Sequence, residues 1–308
     1  MIKSILCIGA TLVDELYFSQ NTIIPDSSNP ATKSSSIGGV ISNIAQHLAL
    51  LGLNPTLITV LGKDSEAISI AEQFNKLGIS FSESNFDTPY TGKYVSVSQP
   101  NGNLYVSVCQ DATPEYLSVS FLESKVNFIK GFDFLIIDAN LSVESIQWLI
   151  YFSKNNNKKL IIEPVSISKG SKLAGLDLNG VYMITPNQGE LHAIANINSE
   201  EESVLVSHLF NRGVEKVWLR KGNQGSILFG VNHLLELSVP TISIIDSTGA
   251  GDAALAGWVF GYYNQQDELS SLQLAHSLAM EVLQIKGAVA ATITADYLLK
   301  IKNNYYHD

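Results

Sequence analysis

Asp246-Ser247-Thr248-Gly249-Ala250-Gly251-Asp252, continuing into Ala253-Ala254-Leu255-Ala256-Gly257-Trp258, is the stretch on which the reading of this chain turns. It joins a glycine-rich turn to the start of an apolar helix and puts a carboxylate on that helix's first turn. Glycines at 249 and 251 let backbone N–H groups converge without side chains in the way. The helix adds unpaired N–H donors and the positive end of its dipole. Such a turn holds a phosphate. Asp252, beside a bound polyphosphate, stands where a carboxylate takes a proton from an attacking hydroxyl.

The same run satisfies the loose dinucleotide pattern G-x-G-x-x-A at Gly249 to Ala254. That pattern normally opens a βαβ unit with an acidic residue at the end of its second strand. Here residues 268–285 read as another helix and no strand pattern follows, which disfavours a redox dinucleotide. A P-loop is absent: no G-x-x-x-x-G-K-[ST] occurs, and Gly62-Lys63 and Gly92-Lys93 lack its context.

Outward from this run, short apolar stretches alternate with helical patterns. Strands are predicted at 4–9, 56–61, 133–138, 159–163, 181–184, 215–220, 226–230 and 241–245. Several are continuously apolar, Phe134-Leu135-Ile136-Ile137 among them, as suits strands covered on both faces. Helices are predicted at 39–52, 65–77, 142–154, 201–212, 252–264 and 268–285. The first places Ile44, Leu48 and Leu51 on one stripe and stops at Gly52. This is the grammar of an α/β sheet with helices on both sides. Residues 11–36 and 89–111 break it. They contain β-prone segments, Tyr94–Ser98 and Asn103–Cys109 among them, with a hairpin signal at Pro100-Asn101-Gly102-Asn103 between. The expected organisation is a large α/β domain from 1–10, 37–88 and 112–308, with 11–36 and 89–111 forming a small β lid that excludes water from a transfer reaction.

Composition bounds the partners. Of 308 residues, 45% are apolar and 16% charged, with 19 Lys and Arg against 29 Asp and Glu for a net charge of −10. That argues against nucleic-acid backbones and anionic membranes as partners. The two cysteines, Cys7 and Cys109, have no metal-type spacing, and a reduced, cytoplasmic protein is the simplest expectation. The apolar run Ile5–Val13 ends in Asp14-Glu15 and fits a first buried strand better than a signal peptide. No stretch approaches the ~20 apolar residues that span a bilayer.

Polar residues follow several strands: Asp138-Ala139-Asn140, Glu163-Pro164 and Pro186-Asn187-Gln188-Gly189-Glu190. In open α/β sheets ligands bind outside the carboxyl ends of strands, so these segments are placed to line one crevice. Helix capping accounts equally well for Asn140 and Asn187. At Gly38-Gly39 a glycine pair opens a helix with Asn43 in its first turn. It is either a simple N-terminal turn or a close approach to a polar small molecule. Asp14 suits vicinal hydroxyls, or is a solvated loop aspartate. The histidines 47, 192, 208, 233, 276 and 307 lack metal-ligand spacing, and no nucleophile-elbow G-x-S-x-G occurs.

Together these segments resemble the ribokinase-like, or PfkB-type, family of carbohydrate and nucleoside kinases. Asp246–Asp252 is similar to its C-terminal signature, with Ser247 where threonine is usual. Gly38-Gly39 with Asn43, Ala45, Leu48, Ala49 and Gly52 is similar to its N-terminal signature, and Asn187-Gln188-Gly189-Glu190 to its N-x-x-E element. Within the family the likeness is to pseudouridine kinases, carried by Ile37–Gly52, Asp138-Ala139-Asn140-Leu141 and Glu163-Pro164-Val165-Ser166 with Lys169. The segment Cys109-Gln110-Asp111 leading to Leu117 shares it, although that region departs from the pattern.

The resemblance implies a three-layer α/β/α sandwich with a mostly parallel sheet and a small β lid. It implies ATP- and Mg²⁺-dependent phosphorylation of a primary hydroxyl, here the 5′-hydroxyl of pseudouridine. Asp252 would be the base, with the N–H groups of Gly249, Ala250 and Gly251 as the anion hole. Asn187 and Glu190 would organise Mg²⁺ and phosphate through water. Asp14, Gly38, Gly39 and Asn43 would bind ribose hydroxyls, with Lys93 and Asp111 on the lid as further substrate contacts. Lys221, Gly222 and Gly225 resemble the segment bordering the nucleotide. Asp246 and Thr248 stand where family members often bind a monovalent cation such as K⁺. A homodimer could form through the lid edge. The competing readings are a sugar kinase acting on ribose, fructose or a ketogluconate, and a silent nucleoside or sugar sensor. Asp252 and its flanking glycines disfavour the sensor, which needs no base.

Overall fold

Alternate residues of each central strand feed two separate apolar clusters, and that alternation builds the layers of the molecule. The computed structural model describes residues 4–306, so His307 lies outside the described residues. The larger sheet contains, in spatial order, β12 (His233–Leu237), β11 (Ser226–Gly230), β10 (Lys216–Arg220), β9 (Met183–Ile184), β8 (Lys159–Glu163), β7 (Phe134–Asp138), β1 (Ile5–Ile8) and β4 (Thr56–Ile58). β4 through β10 pair in parallel, and β10–β11–β12 is an antiparallel edge.

All five residues of β7 are buried. Phe134 and Ile136 enter one apolar cluster with Ile5, Cys7, Ile161 and Met183, while Leu135 and Ile137 enter the other with Leu6, Ile8, Leu160 and Ile162. Helices Val40–Leu50, Ser65–Leu77, Ala250–Tyr263, Glu268–Leu283 and Ala295–Tyr305 supply the first cluster. Helices Val143–Asn155, Gln188–Ala195 and Glu202–Asn211 supply the second. A three-layer α/β/α sandwich follows, because period-2 strands that are apolar on both faces must be covered on both.

A second sheet runs β3 (Ala31–Gly38), β2 (Leu12–Ser19), β5 (Gly92–Ser98) and β6 (Leu104–Gln110). β5 and β6 are antiparallel, and the predicted hairpin joins them. Gln99 N–H donates to Asn103 O at 2.8 Å, and Gly102 takes a φ of 85°. β6 is exposed along its whole length.

Three expectations need correction. Residues 241–245 form no strand; they run as an exposed segment after Pro240, with Ile244 and Ile245 each 61% exposed. The sheet edge is instead closed by β12, whose alternating sequence pairs with β11. The strand expected at 56–61 stops at Ile58, with a lone bridge from Val60 to Asn85 continuing it. Helices Gln188–Ala195 and Ala295–Tyr305 lie outside the predicted set. The first is short, and the second carries a narrow apolar stripe in which only Leu298 and Ile301 are buried. Among the described residues no strand follows helix Ala250–Tyr263, so the βαβ unit that a redox dinucleotide needs is absent.

Candidate active site

The parallel strands end together, and each end delivers a polar side chain to one place. Asp138 is the last residue of β7, Glu163 of β8 and Arg220 of β10, while Asn187 follows β9 by three residues. Helix Ala250–Tyr263 points its first turn at this crevice. Gly249 caps it at φ 75°, where a Cβ would meet Ala288 O at 2.4 Å, so the turn tolerates no side chain.

Asp252 sits on that first turn, 8% exposed. Asn43 Nδ2 donates to its Oδ2 at 2.8 Å, and the other polar atom of that amide, Oδ1, is buried without a partner. Burial pushes the Asp252 carboxyl up to about 8, against the Asn43 hydrogen bond and the Arg220 charge, with Glu163 and Asp138 adding to the rise. A carboxylate poised near neutrality can accept a proton and release it again. One turn along the Asn43 helix, His47 is buried and neutral, with burial holding it down to about 4. Its Nε2 accepts from Ala290 N–H at 3.2 Å, which leaves Nδ1 as donor to Asn43 O at 3.0 Å. His47 therefore fixes the helix that carries Asn43.

Asp138 is fully buried, and burial raises it to about 7. Its oxygens accept from Ala10 N–H (3.2 Å), Asn140 N–H (3.0 Å) and Asn140 Nδ2 (2.7 Å). Asn140 is thus a partner of Asp138 and not a helix cap; the following helix is capped by Ser142. Lys169 Nζ donates to Asn140 Oδ1 and lies 3.9 Å from Asp111 Oδ2. Lys169 reaches there through a tight turn at Pro164-Val165-Ser166, where Ser166 N–H donates to Pro164 O at 2.8 Å and Val165 takes a φ of 71°. A β-branched residue at positive φ is strained, and such strain concentrates where a side chain must be aimed.

Asn187 and Glu190 form a reciprocal capping box, with Glu190 N–H donating to Asn187 Oδ1 at 2.9 Å and Asn187 N–H to Glu190 Oε2 at 2.8 Å. Both are consequently anchored at the crevice by helix geometry. Arg220 Nη2 donates to Glu163 Oε1 at 2.8 Å and lies 4.0 Å from Glu190 Oε2. Sequence reasoning passed over Arg220. Its signal was a guanidinium closing the apolar run Val217-Trp218-Leu219, at the end of a predicted strand.

The remaining sequence-predicted residues divide. Asp14 packs on Gly38, where a Cβ would come within 2.2 Å of its Oδ2, and burial raises its carboxyl to about 6. Gly39 opens helix Val40–Leu50 at φ 92°, against Ala10 O. Lys93 is not brought to Asp14. It pairs in register with Val13, so it projects from the opposite face of the sheet, where its Nζ meets Glu66 and lies 4.0 Å from Glu15. Asp111 accepts from Thr113 N–H at 2.9 Å and joins the Lys169 group. Lys221 pairs with Glu202 at 2.9 Å, and Gly222 and Gly225 bound the turn between β10 and β11. Asp246 accepts from Thr248 N–H (2.9 Å), Thr248 Oγ1 (2.7 Å) and Gly287 N–H (3.1 Å); burial opposes its charge, but these bonds hold its carboxyl below the usual range. Among the described residues no three His, Cys, Asp or Glu side chains gather closely enough to hold a metal by themselves. No described helix is long and apolar enough to cross a membrane.

This chain belongs to the pfkB family of carbohydrate kinases, whose pattern matches residues 2–295. Family and fold define a phosphotransferase that uses an alcohol group of a small sugar or nucleoside as acceptor. The pseudouridine kinase of Escherichia coli (strain K12) is 27% identical over 267 residues, covering 83% of this chain and 84% of that protein. Arabidopsis thaliana ribokinase, solved with ribose and ATP, superposes with a TM-score of 0.81 at 19% identity, covering 98% of this chain and 99% of that one. Phosphofructokinase-2 from Escherichia coli, solved with potassium, gives a TM-score of 0.81 at 17% identity, covering 99% of each.

Proposed function

We propose that this protein transfers the γ-phosphoryl group of ATP to the 5′-hydroxyl of pseudouridine. The observation that carries the reading is the Asn43–Asp252 hydrogen bond, which places a near-neutral carboxylate at the head of the glycine turn. The residues fit a polyphosphate and a hydroxylated ligand. The glycine turn offers backbone N–H groups bare of side chains to one, and the unpartnered Asn43 Oδ1 supplies an acceptor for the other. Asn187 and Glu190 would hold Mg²⁺ through water. Bound there, the ion neutralises charge on the phosphates and orients them. K⁺ would sit at Asp246 and Thr248, behind the turn.

Asp14, Gly38 and Asn43 orient the acceptor's ribose. The proton of its 5′-hydroxyl passes to Asp252, the oxygen bonds the γ-phosphorus, and the bond to the β–γ bridging oxygen breaks to leave ADP. The N–H groups of Gly249, Ala250 and Gly251 face the charge that develops on the transferred group. The four-stranded sheet acts as a lid that excludes water. Support for a nucleoside over a bare sugar comes from the Escherichia coli relative and from the Lys169–Asn140–Asp111 group, whose ammonium, amide and carboxylate match the carbonyl and N–H edges of a uracil ring.

A coupled ADP-release assay over pseudouridine, uridine, ribose, fructose and ketogluconate tests the reading. The highest kcat/KM is expected with pseudouridine. Preference for ribose or another sugar would replace the nucleoside by a sugar, and no ADP with any acceptor would return the protein to a sensor.

A further inference from the structure

Arg220 holds an N–H donor that the fold leaves unused. Its backbone N–H donates to Pro186 O at 2.8 Å, which pins the end of β10 beside the Asn187 turn. Its Nη2 is committed to Glu163. Its Nη1 is sealed from solvent and has no hydrogen-bond partner. The same Nη1 lies against the glycine turn: a Cβ on Gly251 would sit 2.6 Å from it. A side chain at the second glycine of the signature would therefore push this guanidinium from its place.

Arginine–carboxylate pairs are frequently bidentate, but the second oxygen of Glu163, Oε2, accepts from Thr185 Oγ1. Here one arm of the fork binds Glu163 and the other points at the turn that receives phosphate. Lys221, the next residue, is occupied by Glu202 at 2.9 Å. Buried donors without partners are rare, and each calls for an explanation. The charge on the equatorial oxygens of a transferred phosphoryl group provides one, since cations clamped on that group stabilise it.

We propose that Arg220 is a catalytic residue that donates from Nη1 to the γ-phosphoryl group of the bound nucleotide, from below the Gly249–Gly251 turn. It stays protonated throughout, and no proton or electron passes through it. The proposal rests on the kinase reading above and goes beyond it by naming a phosphate contact on β10.

The test pairs two nucleotides that differ in the γ-phosphate, the non-hydrolysable analogue AMP-PNP and ADP, each titrated calorimetrically with Mg²⁺. Removing Arg220 alone strands the Glu163 carboxylate, so the principal variant is Arg220→Met with Glu163→Gln, which deletes both charges. Arg220→Lys is the second variant, and melting temperature confirms that each is folded. In the double variant AMP-PNP affinity should fall at least about tenfold while ADP affinity changes less than about threefold. With a productive acceptor, kcat should fall about 10²–10³-fold. Arg220→Lys should fall between the two proteins. Equal loss for both nucleotides, or loss for neither, in a folded variant would overturn the proposal. If the wild type turns over no acceptor yet the γ-phosphate discrimination disappears as expected, the acceptor reading fails and the Arg220 contact stands.

Discussion

Asn43 and Asp252 lie 209 residues apart in the chain and share a hydrogen bond of 2.8 Å from the amide Nδ2 to the carboxylate Oδ2. The bond joins the helix opened by the glycine pair to the helix opened by the glycine turn. Through it, the segment that would orient the acceptor also opposes the rise that burial imposes on the carboxyl that would activate it.

Activity should follow the ionisation of Asp252. With a carboxyl near 8, kcat/KM is expected to fall with a slope of one as pH drops below that value. The Asn43 hydrogen bond favours the charged form, so Asn43→Ala should move this limb to higher pH by about one unit. A pH–rate profile of both proteins measures the shift. A limb that stays put in the variant would show that Asn43 does not tune the base.

Asp252→Asn keeps the shape of the site and removes the base. Turnover should fall about 10²–10⁴-fold with nucleotide affinity largely intact. Steady-state kinetics and calorimetric titration separate the two, and near-normal turnover would remove Asp252 from its role.

Stability should fall as pH rises from about 6.5 to about 8. In the folded protein Asp138 and Asp252 are held up to about 7 and about 8, against an ordinary 3.8, so across this window the native state binds more protons than the unfolded chain. Stability then decreases with pH, by at most about 1.4 kcal/mol per unit for each carboxyl. His47 and His276, held down to about 4, act in the opposite sense, but their effect fades as pH rises past their ordinary 6.5, where the two carboxyls dominate. Thermal denaturation of the ligand-free protein at pH 6.5 and 8 should show the drop, and Asp252→Asn should flatten it. A melting temperature that rises across this interval would contradict the assignment.

Asp14 and Gly38 test the acceptor side. Asp14→Ala should raise the acceptor KM with a smaller change in kcat. Gly38→Ala should act in the same direction, because the new Cβ would come within 2.2 Å of the Asp14 carboxylate and displace it. About a tenfold rise in acceptor KM corresponds to the loss of one charge-assisted hydrogen bond. Unchanged KM in both variants would leave Asp14 a purely structural residue.

Much of the fold was legible locally. Phe134–Ile137 declared a strand buried on both faces because four apolar residues in a row can be satisfied only between two layers. Gly249 declared a turn because its backbone takes a φ that other residues resist. Residues 241–245 misled because Ile244 and Ile245 have strand propensity, yet no edge lies beside them. At Asn187 local chemistry admitted both capping and ligand binding, and the structure shows a capping box that holds the same residues at the crevice.

What the sequence determined by itself was the alternation of strands and helices through most of the chain, the glycine turn, and the carboxylate that follows it. All of these depend on neighbours within a few residues. Only the tertiary structure decided that Asn43 meets Asp252, that Lys93 faces away from Asp14, and that Arg220 stands under Gly251 with one donor free. Those relationships join segments remote in the chain: the register of the smaller sheet sets the face of Lys93, and the parallel strands of the larger sheet bring their carboxyl ends to one edge whatever the length of chain between them. The same burial raises Asp252 toward neutrality, a property that no spacing of residues encodes.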